Sequence, residues 1–339
     1  MTGKFAYIDS IYNHLPEKTY SNDDFYTDFP SEKGKMSYPK LGVKNRHISD
    51  HSKTAVDLAI EAGNAFFEKT GIDRTTIDFL LVNTLEDDYL FCPYNCSLVH
   101  AGLNLRSSCG TNDMRYGCSA YVYGVSTLSA MLQTYGFEKA LFITVNNLTK
   151  KIHAKDKANR FIFGDAASVT LLSARETPGV GRTVFGNDGK GFKKIYVPHG
   201  GSRTPVTNES IKEITDEFGN TTTLASYHME GTGVFLFTLR VVPTLMNDTL
   251  IANDLKKDDI DFFVFHQTNH YLNEVIRKKC EIPEEKFIQY MENTGNTVSS
   301  TIPIVLEKMM NDNKLKKGNR VMIAGFGSGL SWAATIITM

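Results

Sequence analysis

Three side chains in separate segments of this chain could carry out covalent chemistry together. Cys118 opens the stretch 118–134, which contains no charged residue and is predicted to begin a buried helix. Free backbone N–H groups and the helix dipole at such a position favour an anion, and the thiolate is the nucleophilic form of cysteine. His266 and Asn296 occur later, each in a short loop-like segment. A cysteine, a histidine and an asparagine from separate segments indicate acyl transfer through a covalent intermediate.

Each of these side chains also fits a plainer structural role. His266 ends an apolar run and could be a hydrogen-bonded core histidine, and Asn296 within Gly-Asn-Thr is typical of a turn. The other cysteines fit small buried apolar residues: Cys92, Cys96, Cys109 and Cys280. An odd number of cysteines, thinly spread, argues against a disulfide framework. The joint occurrence of Cys118, His266 and Asn296 favours the chemical interpretation.

The composition excludes several classes of function. The chain has 339 residues, of which 41% are hydrophobic and 22% charged, as in ordinary globular proteins of about two domains. A net charge of −1 gives no electrostatic basis for binding nucleic acid. Neither a zinc-like Cys/His spacing nor a phosphate-binding glycine loop occurs, so no metal is predicted. Without a signal-like N-terminus or an apolar run near the roughly 18 residues of a membrane span, we expect a cytoplasmic protein with no membrane partner.

The elements that must position these residues are predicted to form two copies of one unit. Similar segments recur at an offset of about half the chain: IDFLLVNT at 77–84 and IDFFVFHQ at 260–267, then KALFITVN at 139–146 and NRVMIAG at 319–325. Such self-similarity indicates a duplicated mixed α/β unit. Strands that alternate with buried helices predict sheets covered on both faces. We therefore divide the chain into an N-terminal half, 1–176, with the cysteine, and a C-terminal half, 177–339, with the histidine, asparagine and glycine loop.

Helical periodicity predicts long helices in both halves. One runs from Ser52 to Lys69 with Gly71 as its stop, and another from Gly233 to Ile251. Pro243 lies inside the second and is expected to kink or break it. The stretch 176–223 is rich in glycine and polar residues and is predicted to be the junction between the halves, with a short strand at 193–197.

Nine short motifs appear in the order typical of one known family, at 15–18, 41–48, 88–91, 113–118, 163–165, 234–237, 266–269, 295–297 and 325–332. On these motifs the chain resembles, from end to end, the β-ketoacyl-acyl carrier protein synthase III branch of the thiolase superfamily. The resemblance implies an α/β fold of five layers, α/β/α/β/α, with two pseudo-repeated halves, and a homodimer. Thiolases carry a second reactive cysteine near the C-terminal glycine loop and elongating ketosynthases carry a second histidine, whereas this chain has Asn296 and no cysteine in 325–329.

The resemblance also implies a role for each site residue. Cys118 would accept an acyl group from a thioester of coenzyme A or of acyl carrier protein, with the oxyanion held by the backbone N–H groups of Cys118 and Ser328. His266 and Asn296 would bind the carbonyl of a malonyl thioester, and Phe326 would shield its carboxylate from water. Loss of carbon dioxide and condensation would give a 3-oxoacyl thioester, as in fatty acid or polyketide biosynthesis, with no permanently bound cofactor.

Substrate contacts follow the family less closely. Phe91 matches a residue that crosses the dimer interface into the partner's acyl pocket, although a core phenylalanine is an equal alternative. Lys157 and Asn269 are expected to bind the thioester arm. Met36 stands where the family often has a tryptophan against the adenine, and Tyr271 replaces an arginine used for carrier-protein docking. These departures favour a pathway-specific enzyme over the housekeeping starter of fatty acid synthesis.

Two other functions remain compatible with the sequence. One is acyl transfer to a hydroxyl or amine acceptor without decarboxylation, with His266 as general base. The other is a non-catalytic subunit that binds an acyl thioester or an active paralogue, which the intact Cys-His-Asn set disfavours.

Overall fold

A computed structural model describes residues 3–35 and 37–339. Within these residues the strands are β1 (Phe5–His14), β2 (Thr19–Ser21), β3 (Asn45–His47), β4 (Phe79–Asn83), β5 (Gly110–Met114), β6 (Lys139–Asn146), β7 (Ala166–Arg175), β8 (Val184–Asn187), β9 (Ile195–Tyr196), β10 (Ile214–Thr215), β11 (Thr221–Thr222), β12 (His228–Met229), β13 (Phe262–Phe265), β14 (Arg320–Gly327) and β15 (Ser331–Thr338). The helices are α1 (Asn22–Asp28), α2 (Tyr38–Leu41), α3 (Ala55–Thr70), α4 (Asn95–Gly102), α5 (Ala120–Tyr135), α6 (Lys157–Arg160), α7 (Gly231–Ala252), α8 (His270–Lys279) and α9 (Thr301–Asn311).

Two sheets with the same pairing pattern form the framework. The first is ordered β1-β7-β6-β4-β5 and the second β13-β14-β15-β8. Along β4-β6-β7-β1 the successive pairings are parallel, antiparallel and antiparallel, and β13-β14-β15-β8 repeats that sequence of pairings. The predicted equivalence of the segments at 77–84 and 260–267 is confirmed, because β4 and β13 occupy the same place in their sheets.

Helices α5 and α9 lie between the two sheets. Their apolar side chains join strands of both sheets in one buried cluster, which includes Val125 of α5, Val305 of α9, Phe142 of β6 and Val321 of β14. Helices α3 and α4 pack on the outer face of the first sheet, and α7 and α8 on that of the second. The predicted five-layered α/β/α/β/α architecture is therefore confirmed. The division at residue 176 stays a prediction.

The ends of helix α3 follow from its sequence. Thr54 accepts a hydrogen bond from the backbone N–H of Asp57 at 3.1 Å, and the Asp57 carboxylate accepts one from the N–H of Thr54 at 2.8 Å. This reciprocal capping satisfies donors that have no partner inside the helix. At the other end Gly71 adopts φ +67°, the left-handed conformation that favours glycine.

Helix α7 continues through Pro243, so a break at this proline is the wrong expectation. Residues on both sides of the proline, Phe237, Val241 and Leu245, are buried in the cluster that covers the second sheet, and this packing maintains the helix. Among the described helices, α7 alone has the length and apolar composition to cross a membrane, with 44% of that window buried. Core helices of soluble proteins meet the same criteria.

The junction between the halves is less regular than predicted. The expected strand at 193–197 shrinks to Ile195–Tyr196, because a 3-10 turn occupies Gly189–Lys194. A segment that the periodicity missed, Val184–Asn187, adds the edge strand β8 to the second sheet. Its four residues alternate between half-buried and exposed positions, and so short an alternating segment gives only a weak signal in the sequence.

The packing of α5 against β6 predicts the effect of one substitution. A Cβ on Gly124 would overlap the buried ring of Phe142, and a close-packed core cannot absorb that volume without shifting. We expect Gly124→Ala to lower the free energy of unfolding in urea by about 1–3 kcal/mol. The control is Gly231→Ala at the start of α7, where the added Cβ meets no atom within 4 Å. Equal stability of Gly124→Ala and the unmodified protein would contradict this packing.

Candidate functional site

Cys118 lies in the turn that connects β5 to α5. The turn is closed by a hydrogen bond from Ala120 N to Gly117 O at 3.0 Å, and the first residue of α5 is Ala120. The cysteine therefore precedes the helix, whereas the sequence predicted it in the first helical turn. Its side chain packs beside a small apolar cluster that includes Leu148 and Tyr227.

The backbone of β14 contacts this turn directly. A Cβ on Gly327 would lie 3.0 Å from Cys118 Sγ, and a Cβ on Gly325 would lie 2.7 Å from Cys118 O. A Cβ on Gly117 would in turn overlap Ser328 Oγ. Side chains at these positions would separate the two segments, so glycine is required by the close approach itself. The strand of the second half thus forms one wall around the sulfur of the first half.

Serine hydroxyl groups fix the loop that follows β14. Ser331 Oγ donates to Ser328 O at 2.7 Å, and Ser119 Oγ lies 2.8 Å from Ser331 Oγ. Because the Ser331 proton is used toward Ser328, the Ser119 hydroxyl is the donor between the two serines. This chain of bonds holds Ser328 beside the cysteine turn, where its backbone N–H was predicted to serve an oxyanion.

His266 directly follows β13 and is fully buried. Its backbone N–H donates to Ala324 O of β14 at 2.8 Å, which places the ring beside the same strand that contacts Cys118. The imidazole meets the ring of Phe326 edge to face, with centroids 5.8 Å apart. The structure therefore brings His266 and Phe326 together next to the cysteine turn.

Thr301 is the hydrogen-bond partner of the imidazole Nδ1, and the direction of this bond depends on the tautomer of His266. His266 Nδ1 lies 2.7 Å from Thr301 Oγ1, and that hydroxyl can donate to Val298 O at 3.2 Å. A threonine hydroxyl has one proton to donate and can also accept. When it donates to Val298, His266 carries its proton on Nδ1 and presents a free lone pair on Nε2. When it donates to Nδ1, Nε2 carries the proton and becomes a donor.

Burial keeps both Cys118 and His266 uncharged in this structure. It raises the pKa of the Cys118 thiol to about 12, although the cysteine's own backbone N–H acts in the opposite direction. Burial also lowers the pKa of His266 to about 3. This desolvation disfavours the thiolate that the sequence predicted at Cys118.

Asn296 is positioned by backbone bonds to the first half. Its N–H donates to Ile162 O at 2.9 Å, and its carbonyl accepts from Gly164 N at 3.1 Å. The side-chain oxygen accepts from Val298 N at 2.9 Å, so the amide nitrogen is turned the other way, with only a long 3.5 Å contact to Thr268 O. In this arrangement Val298 adopts φ +54°, which is a strained conformation for a β-branched residue.

Arg46 supports the Asn296 segment and was not singled out by the sequence. It is fully buried, and its guanidinium donates to Phe161 O at 2.6 Å and to Asn22 Oδ1 at 2.7 Å. A Cβ on Gly295 would lie 3.1 Å from Arg46 Cγ, so the arginine stem packs under the loop that carries Asn296. Burial without an acidic partner among the described residues lowers the pKa of Arg46 to about 10.

Sequence signals for these supporting residues were weak. Arg46 belongs to the motif 41–48, which carried the resemblance but no role. Thr301 lies in an uncharged stretch five residues after Asn296, and no local pattern distinguishes it from a core threonine.

The residues predicted to contact the substrate differ in their hydrogen bonds and exposure. Lys157 pairs with Glu32 at 2.9 Å and donates to Phe218 O at 2.7 Å, on the wall of a cavity of about 440 Å³. Asn269 Oδ1 caps α8 by accepting from Leu272 N at 2.9 Å. Phe91 is 93% exposed, so the alternative of a core phenylalanine is wrong. Met36 lies outside the described residues.

No group of three or more histidine, cysteine, aspartate or glutamate side chains within 3–35 and 37–339 is arranged to hold a metal ion.

The buried neutral imidazole predicts a pH dependence of stability. Between pH 6.5 and about 3 the unfolded chain binds a proton at His266 that the native state excludes, so the free energy of unfolding falls as pH falls. His266→Gln should reduce this fall, by up to about 1.4 kcal/mol per pH unit. Urea unfolding at several pH values between 7.5 and 4 measures it, with His51→Gln at an exposed position as the control. An unchanged slope in His266→Gln would contradict the buried neutral state.

Comparisons with known proteins identify the family to which the chain is similar. Residues 112–189 match the family model described as 3-oxoacyl-[acyl-carrier-protein (ACP)] synthase III, and residues 250–339 match the model of its C-terminal part. The β-ketoacyl-[acyl-carrier-protein] synthase III of Caldanaerobacter subterraneus subsp. tengcongensis is 29% identical over 326 residues, which cover 96% of this chain and 95% of that protein. The enzyme of the same description from Coxiella burnetii strain CbuK_Q154 is 27% identical, and the match covers 99% of both chains.

Solved structures give the same assignment. A crystal structure of a 3-oxoacyl-(acyl-carrier-protein) synthase III superposes with a TM-score of 0.96 at 35% identity, covering 99% of this chain and 100% of that one. The 3-oxoacyl-(acyl carrier protein) synthase of Burkholderia xenovorans LB400 superposes with a TM-score of 0.90 at 28% identity, covering 99% and 94%. The recognised resemblance is thereby confirmed, and the chain belongs to the 3-oxoacyl-acyl carrier protein synthase III family of the thiolase superfamily.

Proposed function

We propose that this chain is an acyltransferase that forms an acyl thioester on Cys118 and condenses it with a malonyl thioester to a 3-oxoacyl thioester. The observation that carries the proposal is the contact of Cys118 with β14, at whose end the buried His266–Phe326 pair also lies. Family membership supports it, because the relatives with matching length are named β-ketoacyl-acyl carrier protein synthase III. We further propose a cytoplasmic, pathway-specific enzyme that uses coenzyme A or carrier-protein thioesters and no permanent cofactor.

The first half-reaction begins from two neutral groups. With Thr301 donating to Val298, His266 Nε2 has a free lone pair and takes the Cys118 proton as sulfur bonds to the acyl carbonyl carbon. The carbonyl oxygen becomes an oxyanion, which the backbone N–H groups of Cys118 and Ser328 stabilise. The carbonyl re-forms, the carbon–sulfur bond to the donor breaks, and the imidazolium returns its proton to the departing thiolate. Charge therefore develops only during the reaction.

The second half-reaction needs the imidazole as a donor. With the Thr301 proton turned to Nδ1, His266 Nε2–H and Asn296 Nδ2 donate to the malonyl thioester carbonyl. The carbon–carbon bond to the carboxylate breaks and carbon dioxide leaves. The electron pair of that bond forms an enolate, which these donors stabilise. Phe326 presents an apolar edge to the carboxylate and excludes water. The enolate carbon then attacks the acyl-cysteine carbonyl and expels the Cys118 thiolate, which takes a proton from solvent water.

The thioester arm would enter past the cavity that Lys157 lines. The Lys157 charge is already matched by Glu32, so it offers less attraction to a phosphate than an unpaired lysine would. The Asn269 amide nitrogen remains available to the arm, because its oxygen alone caps α8.

The roles of Cys118 and His266 predict separable losses. After incubation with acyl-coenzyme A, intact-mass spectrometry should show one acyl adduct on the protein and none on Cys118→Ala. His266→Ala should still become acylated, but more slowly because Cys118 loses its base, and it should release no carbon dioxide from a malonyl thioester, because the enolate loses a donor. The exposed cysteine provides the control, and Cys92→Ser should keep the adduct.

Each of three outcomes would overturn the proposal. An adduct that persists in Cys118→Ala would exclude this cysteine as the nucleophile. Acylation without any carbon dioxide release in the unmodified protein would favour transfer to a hydroxyl or amine acceptor. Absence of acylation with every coenzyme A and carrier-protein donor would favour a non-catalytic subunit.

A homodimer is also proposed. β5 ends the first sheet, so one side of this strand lacks a partner strand within the described chain. The nearby segment exposes Tyr89, Leu90 and Phe91, with Leu90 at 90% and Phe91 at 93% exposure. Exposed apolar side chains in a row mark an interaction surface, and pairing of two β5 edges would carry Phe91 toward the partner's acyl pocket.

Light scattering after size-exclusion chromatography tests this interface. The unmodified protein should elute with about twice the chain mass of 37.9 kDa. Replacing both Leu90 and Phe91 by aspartate should shift it toward the monomer, because charges would be buried between the subunits. Phe218→Asp, at another exposed phenylalanine, should leave the dimer intact. A monomeric unmodified protein at micromolar concentration would refute the proposed dimer.

A further inference from the structure

A cavity of about 520 Å³ adjoins the cysteine turn. Its walls include Ser328, Leu148 and Tyr227, and the latter two belong to the apolar cluster against which Cys118 packs. Leu85, also in the wall, would lie 3.8 Å from a Cβ on Gly117. The cavity therefore begins at the residues around the nucleophile, which is where the acyl chain of an acyl-cysteine would lie.

One wall of this cavity carries a carboxyl group. Glu86 follows Leu85 in the loop after β4, and both residues line the cavity. With its amide nitrogen turned toward the carboxylate, the buried Asn147 donates to Glu86 Oε1 at 2.6 Å and to Oε2, while its oxygen accepts from Ala55 N at 3.2 Å. The hydrogen-bond network sets this amide orientation, because in the reverse one the amide oxygen would face the Glu86 carboxylate and the amide nitrogen would face Ala55 N. Asn147 thus fixes the carboxyl in place.

The carboxyl of Glu86 is incompletely compensated. No lysine, arginine or histidine nitrogen of the described residues forms an ion pair with it, and Lys151 acts on it only through space, from an exposed position. Burial raises the pKa of Glu86 to about 7. Its two oxygens can accept about four hydrogen bonds, so one amide leaves acceptor capacity unused.

An alkyl chain in this cavity would leave the Glu86 carboxyl with still fewer hydrogen bonds. It would displace water from the carboxyl and supply no hydrogen bond in return, and a buried polar group without partners costs free energy. A substrate with a donor at this depth would restore the missing bond. Sites built to hydrogen-bond a substrate group discriminate strongly against analogues that lack it.

We propose that the enzyme is selective for acyl groups that carry a hydrogen-bond donor, a hydroxyl or an amino group, which Glu86, fixed in place by Asn147, holds in the cavity beside Cys118. This inference rests on the proposed acyl transfer to Cys118 and adds the chemical class of the acyl group. Glu86 acts as a specificity residue, because it contacts the acyl chain and takes no part in bond making.

Self-acylation rates with matched donors test the inference. The acyl substrates are butyryl-, 3-hydroxybutyryl-, 4-hydroxybutyryl- and 4-aminobutyryl-coenzyme A. The last three place a hydroxyl or amino group at different depths in the cavity. The readout is the growth of the intact-mass adduct over time. The unmodified protein should react at least about tenfold faster with the best polar donor than with butyryl-coenzyme A, as one hydrogen bond predicts. Glu86→Leu should lose or reverse this preference for the polar acyl group. Glu86→Gln should still react faster with the hydroxyl-bearing acyl groups than with the amino-bearing one.

Controls separate this inference from the proposed function. Glu176→Leu, an exposed glutamate outside the cavity, should keep the ratio of the unmodified protein. Faster acylation by butyryl-coenzyme A in the unmodified protein, or an unchanged ratio in a folded Glu86→Leu, would overturn the inference while leaving the acyl-cysteine mechanism standing. If no donor labels Cys118, including longer acyl-coenzyme A and carrier-protein donors, the proposed function itself fails. A Glu86→Leu variant that does not fold leaves the donor ratio of the unmodified protein as the deciding measurement.

Discussion

The close approach of β14 to the cysteine turn is the constraint on which the site depends. Gly325 and Gly327 let the strand backbone reach Cys118, and any side chain there would push the two halves apart. The same strand pairs with β13, which ends directly before His266, and it carries Phe326. Nucleophile, imidazole and aromatic edge are therefore arranged around one strand, so the packing of the two sheets and the geometry of the chemistry cannot vary independently.

Burial at this contact determines the electrostatics. Burial raises the pKa of Cys118 to about 12 and lowers that of His266 to about 3, so in the proposed mechanism charge develops on this pair only during the reaction. The Thr301 hydroxyl suits such a pair, because it stabilises either imidazole tautomer by rotating its single proton. In the proposed mechanism His266 can therefore act as base in acylation and as donor in decarboxylation without moving its ring.

The proposed acyl cavity combines apolar and acidic side chains. Leu148 and Tyr227 line it near the sulfur, as an acyl chain requires, whereas Glu86 brings a carboxyl into the same wall. The family motifs surround Cys118, His266 and Asn296, but Glu86 lies between two of them. The proposed selectivity residue therefore lies outside the motifs that carry the resemblance.

The sequence by itself determined the repeat, and its motifs identified the family and with it the layer order, because strand and helix periodicities and short motifs are local properties. It also located helix α3, whose cap residues act within one turn. It could not determine the ionisation of Cys118, the persistence of α7 through Pro243, or the support of Asn296 by Arg46. Only the tertiary structure decided these features, since desolvation and close packing depend on residues brought together from distant parts of the chain.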